Sequence, residues 1–440
     1  MTKKGEFSDF MFFHNRIKKT LISLVAVISL VGVGGAFTSA PVLASQYSEN
    51  QLNLNVKSAI AVDSQTGQIL YAKNEDKDLP IASMTKLITI YLTLEAIKDK
   101  RLSWNTTIKP TDAILKVANN SEYSNVPLQK NHTYTIRQLF EATLIESANG
   151  AAMCLANAVA GNQKEFVDQM RDKVKSWGIK DAKIYTSCGL PNGNIGADAY
   201  PGVSKNIENT MSAKDMAIIG MHLINDYPEV LNTTKLAHED FKDGNKTTKM
   251  DNFNWMLKGL SQYDSNLQVD GLKTGTTDKA GACFIGTVSK NGGRIITVVM
   301  GARHQDGTDP SRFIETKKLM NYVYNSYTPV TFKTGEAITG ATTTKVINGD
   351  KQSVKIGIDS PVTVWDPKDN KSISASLKYD AIEAPVKKGQ VANYYEFKSG
   401  KEKLVSISNT KQMTVKAQAM SSTAEVNWFV KVWRWITGEN

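Results

Sequence analysis

Pro80-Ile-Ala-Ser-Met-Thr-Lys-Leu87 is the stretch on which the reading of this 440-residue chain turns. A proline followed by Leu87, Ile90, Tyr91, Leu94 and Ile97 at helical spacing predicts a helix from about Ala82 to Lys98. Ser83 and Lys86 then stand three apart on one face at its start, so a hydroxyl and an amine can meet. A serine attacks a carbonyl only if a neighbour takes its proton. A lysine can do so only where burial or a nearby cation lowers its pKa enough to populate the neutral amine. By itself the tetrapeptide equally describes a solvated helix start.

Outward from it, the mature fold opens on a β-hairpin: Val56 to Asp63, a turn at Ser64-Gln-Thr-Gly67, then Gln68 to Ala72. A second helical block, Ile136 to Ala160, breaks at Ser147-Ala-Asn-Gly150. There Ser147 offers a hydroxyl for proton relay and Asn149 an amide for a substrate carbonyl or for the lysine. A helix is predicted over Ala213 to Asn225. Strands come next at Val269 to Thr274, Ala282 to Ser289 and Arg294 to Gly301, the last two joined by Lys290-Asn-Gly-Gly293, and a helix runs from Ser311 to Tyr327. Lys273-Thr-Gly-Thr276 closes the first of these strands, with Gly275 open to a close backbone approach and Lys273 supplying a permanent cation. The pattern describes an α+β domain with an antiparallel sheet. Beyond Tyr327-Thr-Pro329 short alternating stretches such as Ser353 to Asp359 and Pro361 to Trp365 describe a small all-β domain for spacing or binding, with no chemistry-bearing cluster.

Each motif alone is as readily structural as functional. Their order is far more specific: S-x-x-K opening a helix, S-x-N on a loop, K-T-G on a strand. In this the chain resembles the penicillin-recognising serine enzymes, and within them the low-molecular-mass D-alanyl-D-alanine carboxypeptidases. The likeness extends to the opening hairpin, Glu146-Ser-Ala-Asn-Gly-Ala-Ala152, Gly189-Leu-Pro191, Met211 to Ala217 and Arg312 to Leu319. It departs at Cys188, where a histidine is usual and no role is assigned, and at Ala148, where glycine or aspartate is frequent. The resemblance implies a penicillin-binding/β-lactamase-like transpeptidase fold with a C-terminal β-domain and an amphipathic anchor. It also implies a mechanism. Ser83 is the nucleophile, Lys86 the general base, Ser147 with Lys273 the proton relay, and Asn149 holds the peptide and the lysines. The backbone N–H groups of Ser83 and Thr276 form the oxyanion hole. Lys273, Thr274, Gly275, Thr276 and Arg312 bind the substrate's terminal carboxylate, with Arg303 the less favoured cation. Peptidoglycan stem peptides are then the substrates and β-lactams the covalent inhibitors, and no cofactor is expected.

Two other readings compete. A class A β-lactamase would carry Glu-x-x-Leu-Asn between the second and third motifs, whereas the sole Leu-Asn, Leu231-Asn232, has Pro228 in the glutamate's place and Glu229 one residue off. A non-catalytic sensor of wall polymer or β-lactam is weakened by the completeness of all three motifs. Five histidines without paired spacing leave no expected metal site, and Cys154, Cys188 and Cys283 are odd in number and free of CxxC, which points to buried thiols.

The two ends read differently from the middle. Arg16, Lys18 and Lys19 lead into an apolar run from Leu21 to Val33, and Val42-Leu-Ala44 supplies small residues for cleavage after Ala44; an uncleaved anchor is the alternative. At the other end Val426, Phe429, Val430, Trp433 and Ile436 share a helical face. With Trp428, Trp435, Lys431 and Arg434 they suit a helix lying at the outer leaflet of the cytoplasmic membrane; a helix closing a domain core is the alternative. The expected organisation is therefore a leader (1–44), a catalytic domain (45–328), a β-domain (329–420) and an amphipathic helix (421–440), exported to the extracytoplasmic face. The chain carries a net charge of +10, of which the leader holds +3. Export removes nucleic acid from the possible anionic partners, and 41% hydrophobic with 22% charged residues excludes both disorder over most of the chain and a multi-pass membrane protein.

Overall fold

The computed structural model describes residues 52–368, 372–408 and 411–438; the leader and its cleavage site lie outside them. The opening hairpin forms as strands β1 (Ser58–Asp63) and β2 (Ile69–Lys73). Its turn is held by Asp63, whose carboxylate accepts from the Gln65 and Thr66 amides at 3.0 and 2.7 Å, with Gly67 at a φ of +68°. Three further strands, β3 (Gly271–Thr277), β4 (Gly281–Lys290) and β5 (Gly293–Ala302), complete an antiparallel sheet of order β2-β1-β5-β4-β3. The first strand of the domain thus pairs with its last, Ser58 opposite Met300 and Asp63 opposite Ile295.

The strands read as continuous apolar runs because both faces of the sheet are covered. Ile60, Val62, Ile296, Val298 and Met300 face one core, and Ala59, Ala61, Ile295 and Val299 face the other. The first core is filled by helices α1 (Lys86–Lys98), α2 (Ile136–Leu144), α3 (Asn149–Ala160) and α4 (Ala213–Asp226). The second is closed by α5 (Ser311–Ser326) through Phe313, Leu319 and Val323.

Two expectations shift. The α-helix begins at Lys86; Ala82–Thr85 is a tighter 3-10 turn entered through Ala82 at a φ of +48°. And α1 is buried on every side, Ile88, Thr89, Leu92 and Thr93 as well as the predicted stripe, because it threads the middle of the first core. The helix Gln163–Ser176 and the hairpin His238–Asp243 with Lys246–Asp251 were not legible from periodicity.

Past α5 the β-domain has its own core around Ile356, Ile358, Tyr395, Phe397 and Ala417. It is also built into the first domain. Trp365 is fully buried in the second core, its indole donating to Asp63 at 2.8 Å while its backbone exchanges hydrogen bonds with the Gln68 amide. Val405 and Ile407 sit in the first core, and backbone bonds join Ile69 to Val405 and Gly67 to Ile407. The last described helix is α6 (Trp428–Thr437), capped by Asn427 and closed by Gly438 in the left-handed region.

Candidate active site

The 3-10 turn Ala82–Thr85 sets Ser83 against Lys86. In such a turn side chains three apart eclipse, so the pair is aligned more closely than an α-helical start would align it. Lys86 is fully buried and donates to three acceptors: Ser83 Oγ at 2.8 Å, Asn149 Oδ1 at 2.8 Å and the Cys188 carbonyl at 2.6 Å. An ammonium has three protons, and each is directed. None of the acceptors is an ionised carboxylate. Burial therefore lowers the Lys86 pKa to about 8, within reach of a general base.

The second motif joins this group at the break between α2 and α3. Ser147 is held at a φ of +57°, a conformation that costs a non-glycine residue about 1–3 kcal/mol and is kept by its surroundings. Asn149 opens α3; its side-chain amide and its backbone N–H both donate to the Ser124 carbonyl, at 2.9 and 3.0 Å. This fixes the amide flip so that Oδ1 faces Lys86.

The third motif arrives on β3. Gly275 lies against the nucleophile turn so closely that a Cβ there would sit 2.7 Å from the Ile81 carbonyl and 3.2 Å from the Met84 amide. Gly189 does the same from the opposite side: at a φ of +85° its Cβ would fall 2.0 Å from the Ala82 carbonyl. Two glycines thus press β3 and the 188–190 loop onto the Ser83 turn.

Lys273 lies on this strand. It is buried, and burial, then Lys86, then Arg312 push its pKa well below the ordinary lysine value, with Glu146 opposing. The standing cation of the site is Arg312, at the start of α5, which stays ionised because guanidinium begins from so high a value. Arg312 donates to the Gly275 and Cys283 carbonyls at 3.0 and 3.2 Å and to Thr276 Oγ1 at 2.7 Å; its buried Nε has no partner among the described residues. Arg303 is largely exposed and donates to Asp309 at 3.1 Å, which leaves Arg312 as the cation set into the cleft.

Ser83, Ser147, Thr274, Gly275, Thr276 and Arg312 line one cavity of about 390 Å³, walled on one side by Phe253, Trp255 and Phe313. Lys86, Asn149 and Lys273 stand behind or beside it. A second lobe, lined by Ser83, Asn149 and Thr276, continues from it. Every residue expected at the site is brought to this one cleft or directly beneath it. Glu229 lines neither lobe. What sequence reasoning missed are the Cys188 and Ser124 carbonyls; the glycine beside Cys188 is the one residue-level signal of close approach there. All three thiols are free and buried, and burial raises their pKa values, that of Cys154 to about 12.

The D-alanyl-D-alanine carboxypeptidase family model of the S11 peptidases matches residues 45–304, and the C-terminal domain model of penicillin-binding protein 5 matches 328–419. The chain is 30% identical to D-alanyl-D-alanine carboxypeptidase DacA of Haemophilus influenzae over 89% of its own length and 91% of that protein's. Among solved structures, the peptidoglycan synthesis regulatory factor PBP3 of Streptococcus pneumoniae is 36% identical, with a TM-score of 0.72 over 85% of this chain and 100% of that one. Penicillin-binding protein D2 of Listeria monocytogenes in its cefotaxime-bound form is 30% identical, with a TM-score of 0.50 over 62% of this chain and 98% of that one.

Proposed function

The chain belongs to the D-alanyl-D-alanine carboxypeptidase family, and from that premise and the geometry of its cleft we propose how its residues divide the work. The enzyme is a serine-type D-alanyl-D-alanine carboxypeptidase that removes the terminal D-alanine of peptidoglycan stem peptides. The observation that carries the mechanism is the buried Lys86 amine, 2.8 Å from Ser83 Oγ.

Ser83 Oγ attacks the carbonyl between the two D-alanines and its proton passes to the neutral Lys86 amine. The oxyanion is held by the Ser83 and Thr276 backbone N–H groups, worth about 3–4 kcal/mol in comparable sites. The C–N bond breaks as the proton that Lys86 took from Ser83 passes on through Lys273 and Ser147 to the departing amine, which returns Lys86 to its neutral form, and D-alanine leaves with its carboxylate against Arg312, Thr274 and Thr276. Water then attacks the ester, giving its proton to Lys86, and Ser83 regains its own. A β-lactam enters the same cleft with its carboxylate toward Arg312 and is trapped as the acyl adduct, in keeping with the cefotaxime-bound relative. Purified protein incubated with a peptide ending in D-Ala-D-Ala should release D-alanine, and Ser83→Ala should abolish both this release and covalent penicillin labelling. Persistence of either removes Ser83 from the mechanism.

The substrate determines the place of action: a wall peptide lies outside the cytoplasm, so the protein acts after export, at the extracytoplasmic face of the membrane, with residues 1–44 as its signal. The amphipathic α6 supplies the peripheral attachment. What supports this is that none of its residues is buried and that Trp428, Phe429, Trp433, Trp435 and Ile436 are all exposed. N-terminal sequencing of the exported protein should begin at Ser45; a start at Met1 would favour the uncleaved anchor.

A further inference from the structure

Half of the chain's net charge of +10 belongs to the β-domain at 329–420, where 14 lysines and no arginine stand against 9 acidic residues, a net +5. The much longer catalytic domain at 45–328 holds 32 basic against 30 acidic residues. Strand register shows where some of those lysines go. Ile373–Leu377, Val391–Ser399 and Thr414–Ala419 lie side by side in the larger sheet of the β-domain. Ala375, Tyr395, Phe397 and Ala417 face its core. Alternation therefore turns Tyr394, Glu396 and Lys398 of the middle strand outward, with Lys416 and Thr414 opposite the first two on one side. On the other side Ser376 and Ser374 stand opposite Glu396 and Lys398. No aliphatic side chain occupies these outward positions, so the face lacks the apolar centre that a protein partner needs. Glu396 is their one acid.

The cations form two stations. Lys403 lies directly opposite Lys398. About 14 Å away by strand geometry, Lys416 lies opposite Tyr394, and the Lys378 ammonium stands 5.2 Å from the centroids of both the Tyr394 and the Tyr379 rings. None of these four lysines pairs with a carboxylate among the described residues. Lys378, Lys403 and Lys416 are exposed, as is Tyr379. Ammonium groups so far apart cannot close on one small anion, whereas an extended chain with charge along its length reaches both stations. Past Lys416 the face leads into a cleft of about 310 Å³ between the sheet and the hairpin turn of the catalytic domain, lined by Gln65, Thr66, Ser360 and Thr414, with Asp359 its single acid.

We infer that this face binds a phosphodiester polymer of the cell wall, a chain of polyol or sugar units joined through phosphates. Lysine without arginine favours phosphate: a carboxylate is best matched by the paired N–H groups of a guanidinium, whereas an ammonium meets a phosphate oxygen as a point charge. The serine and threonine hydroxyls and the two tyrosine rings suit the polyol between the phosphates. The inference rests on the carboxypeptidase reading in one respect. Action outside the cytoplasm takes nucleic acid away and leaves wall polymers as the phosphodiester chains within reach.

The probe is end-labelled poly(glycerol phosphate), followed by fluorescence anisotropy with the purified mature chain. Affinity should fall by about fiftyfold between 50 and 200 mM salt, as four neutralised phosphates require. Lys378→Gln, Lys398→Gln, Lys403→Gln and Lys416→Gln together should weaken binding at least about tenfold at 50 mM salt, with D-alanine release from a soluble peptide unchanged. Replacing four exposed lysines of the catalytic domain instead, Lys100, Lys175, Lys180 and Lys235, should leave the affinity within about threefold, which separates this face from net charge alone. Monomeric glycerol phosphate at equal phosphate concentration should not compete. Undiminished binding by the β-domain variant, or an equal loss in the catalytic-domain variant, overturns the assignment, as does equal affinity for polyglutamate of the same charge. The face belongs to lipid instead if the chain truncated after Asn427 binds anionic vesicles and loses them with the same four substitutions. Failure of the carboxypeptidase reading looks different: no D-alanine is released, whatever the polymer does.

Discussion

Lys86 must be neutral to accept the Ser83 proton, yet it is held by three acceptors that a charged amine would favour. Its pKa of about 8, set by burial, places the transition within the measurable range. Below pH 8 the amine is protonated and each unit of acid removes about a factor of ten from acylation; above it the rate levels off. The second-order rate of penicillin acylation should therefore climb with pH and bend near 8. Lys86→Arg, which cannot lose its proton, should lower that rate by at least about a hundredfold at every pH. A flat profile between pH 6 and 9 would remove Lys86 as the base. At this scale the side chains were legible and their surroundings were not. Ser83, Lys86, Ser147, Asn149 and Lys273 could be found because their spacing is a motif. The Cys188 and Ser124 carbonyls that hold Lys86 and Asn149 could not, since any residue can present a carbonyl. The lowering of the Lys273 pKa was hidden for a related reason: burial, then Lys86 and Arg312, cause it, and neither burial nor those neighbours is visible within K-T-G.

Among elements, the decisive contact is between β3 and the 3-10 turn, where Gly275 meets Ile81 and Met84. Gly275→Ala puts a methyl group 2.7 Å from a carbonyl oxygen that cannot yield without moving the turn. The strand must retreat from Ser83 and takes the Thr276 N–H with it. Misplacement by even about 1 Å costs on the order of a hundredfold in rate, so D-alanine release and penicillin acylation should fall together by that order. Thermal stability should change much less, because the rest of the sheet is untouched; unchanged rates would show that the turn can yield. Strand and helix identities were largely legible, since alternation and 3.6-residue spacing each betray a covered face. The boundaries moved where chemistry intervenes. The predicted helix start at Ala82 became a 3-10 turn, and the strand predicted to end at Thr274 runs on to Thr277 beside the nucleophile. Periodicity assumes regular backbone, and the site is built where it is least regular: Ala82 and Ser147 both adopt positive φ.

For the whole molecule, the domain order was legible but not the joint between domains. Tyr327-Thr-Pro329 reads as a boundary, yet Trp365 beyond it is buried with the first domain's Tyr324 and Asp63. A β-domain fastened in this way positions the segment C-terminal to it. That segment is α6, a ten-residue helix about 15 Å long that cannot cross an apolar layer of about 30 Å. The attachment proposed for it would have it lie on the layer through side chains that no described residue covers: Trp428, Phe429, Trp433, Trp435 and Ile436 are 63 to 76% exposed. Its cations are otherwise engaged. Lys431 pairs with Glu425, and Arg434 donates to the Gly349 carbonyl at 2.8 Å. The aromatic residues should therefore carry most of the affinity, with anionic headgroups adding less than the sequence suggests. Truncation after Asn427 leaves the backbone bonds of Ala424 and Val426 to the β-domain in place. The truncated protein should stay in the supernatant when sedimented with vesicles, whereas the longer chain should pellet with both neutral and anionic ones, by a margin of less than about tenfold between them. D-alanine release from a soluble peptide should be equal in the two proteins. Pelleting of the truncated protein would place the attachment elsewhere, and binding to anionic vesicles alone would return the leading part to Lys431 and Arg434.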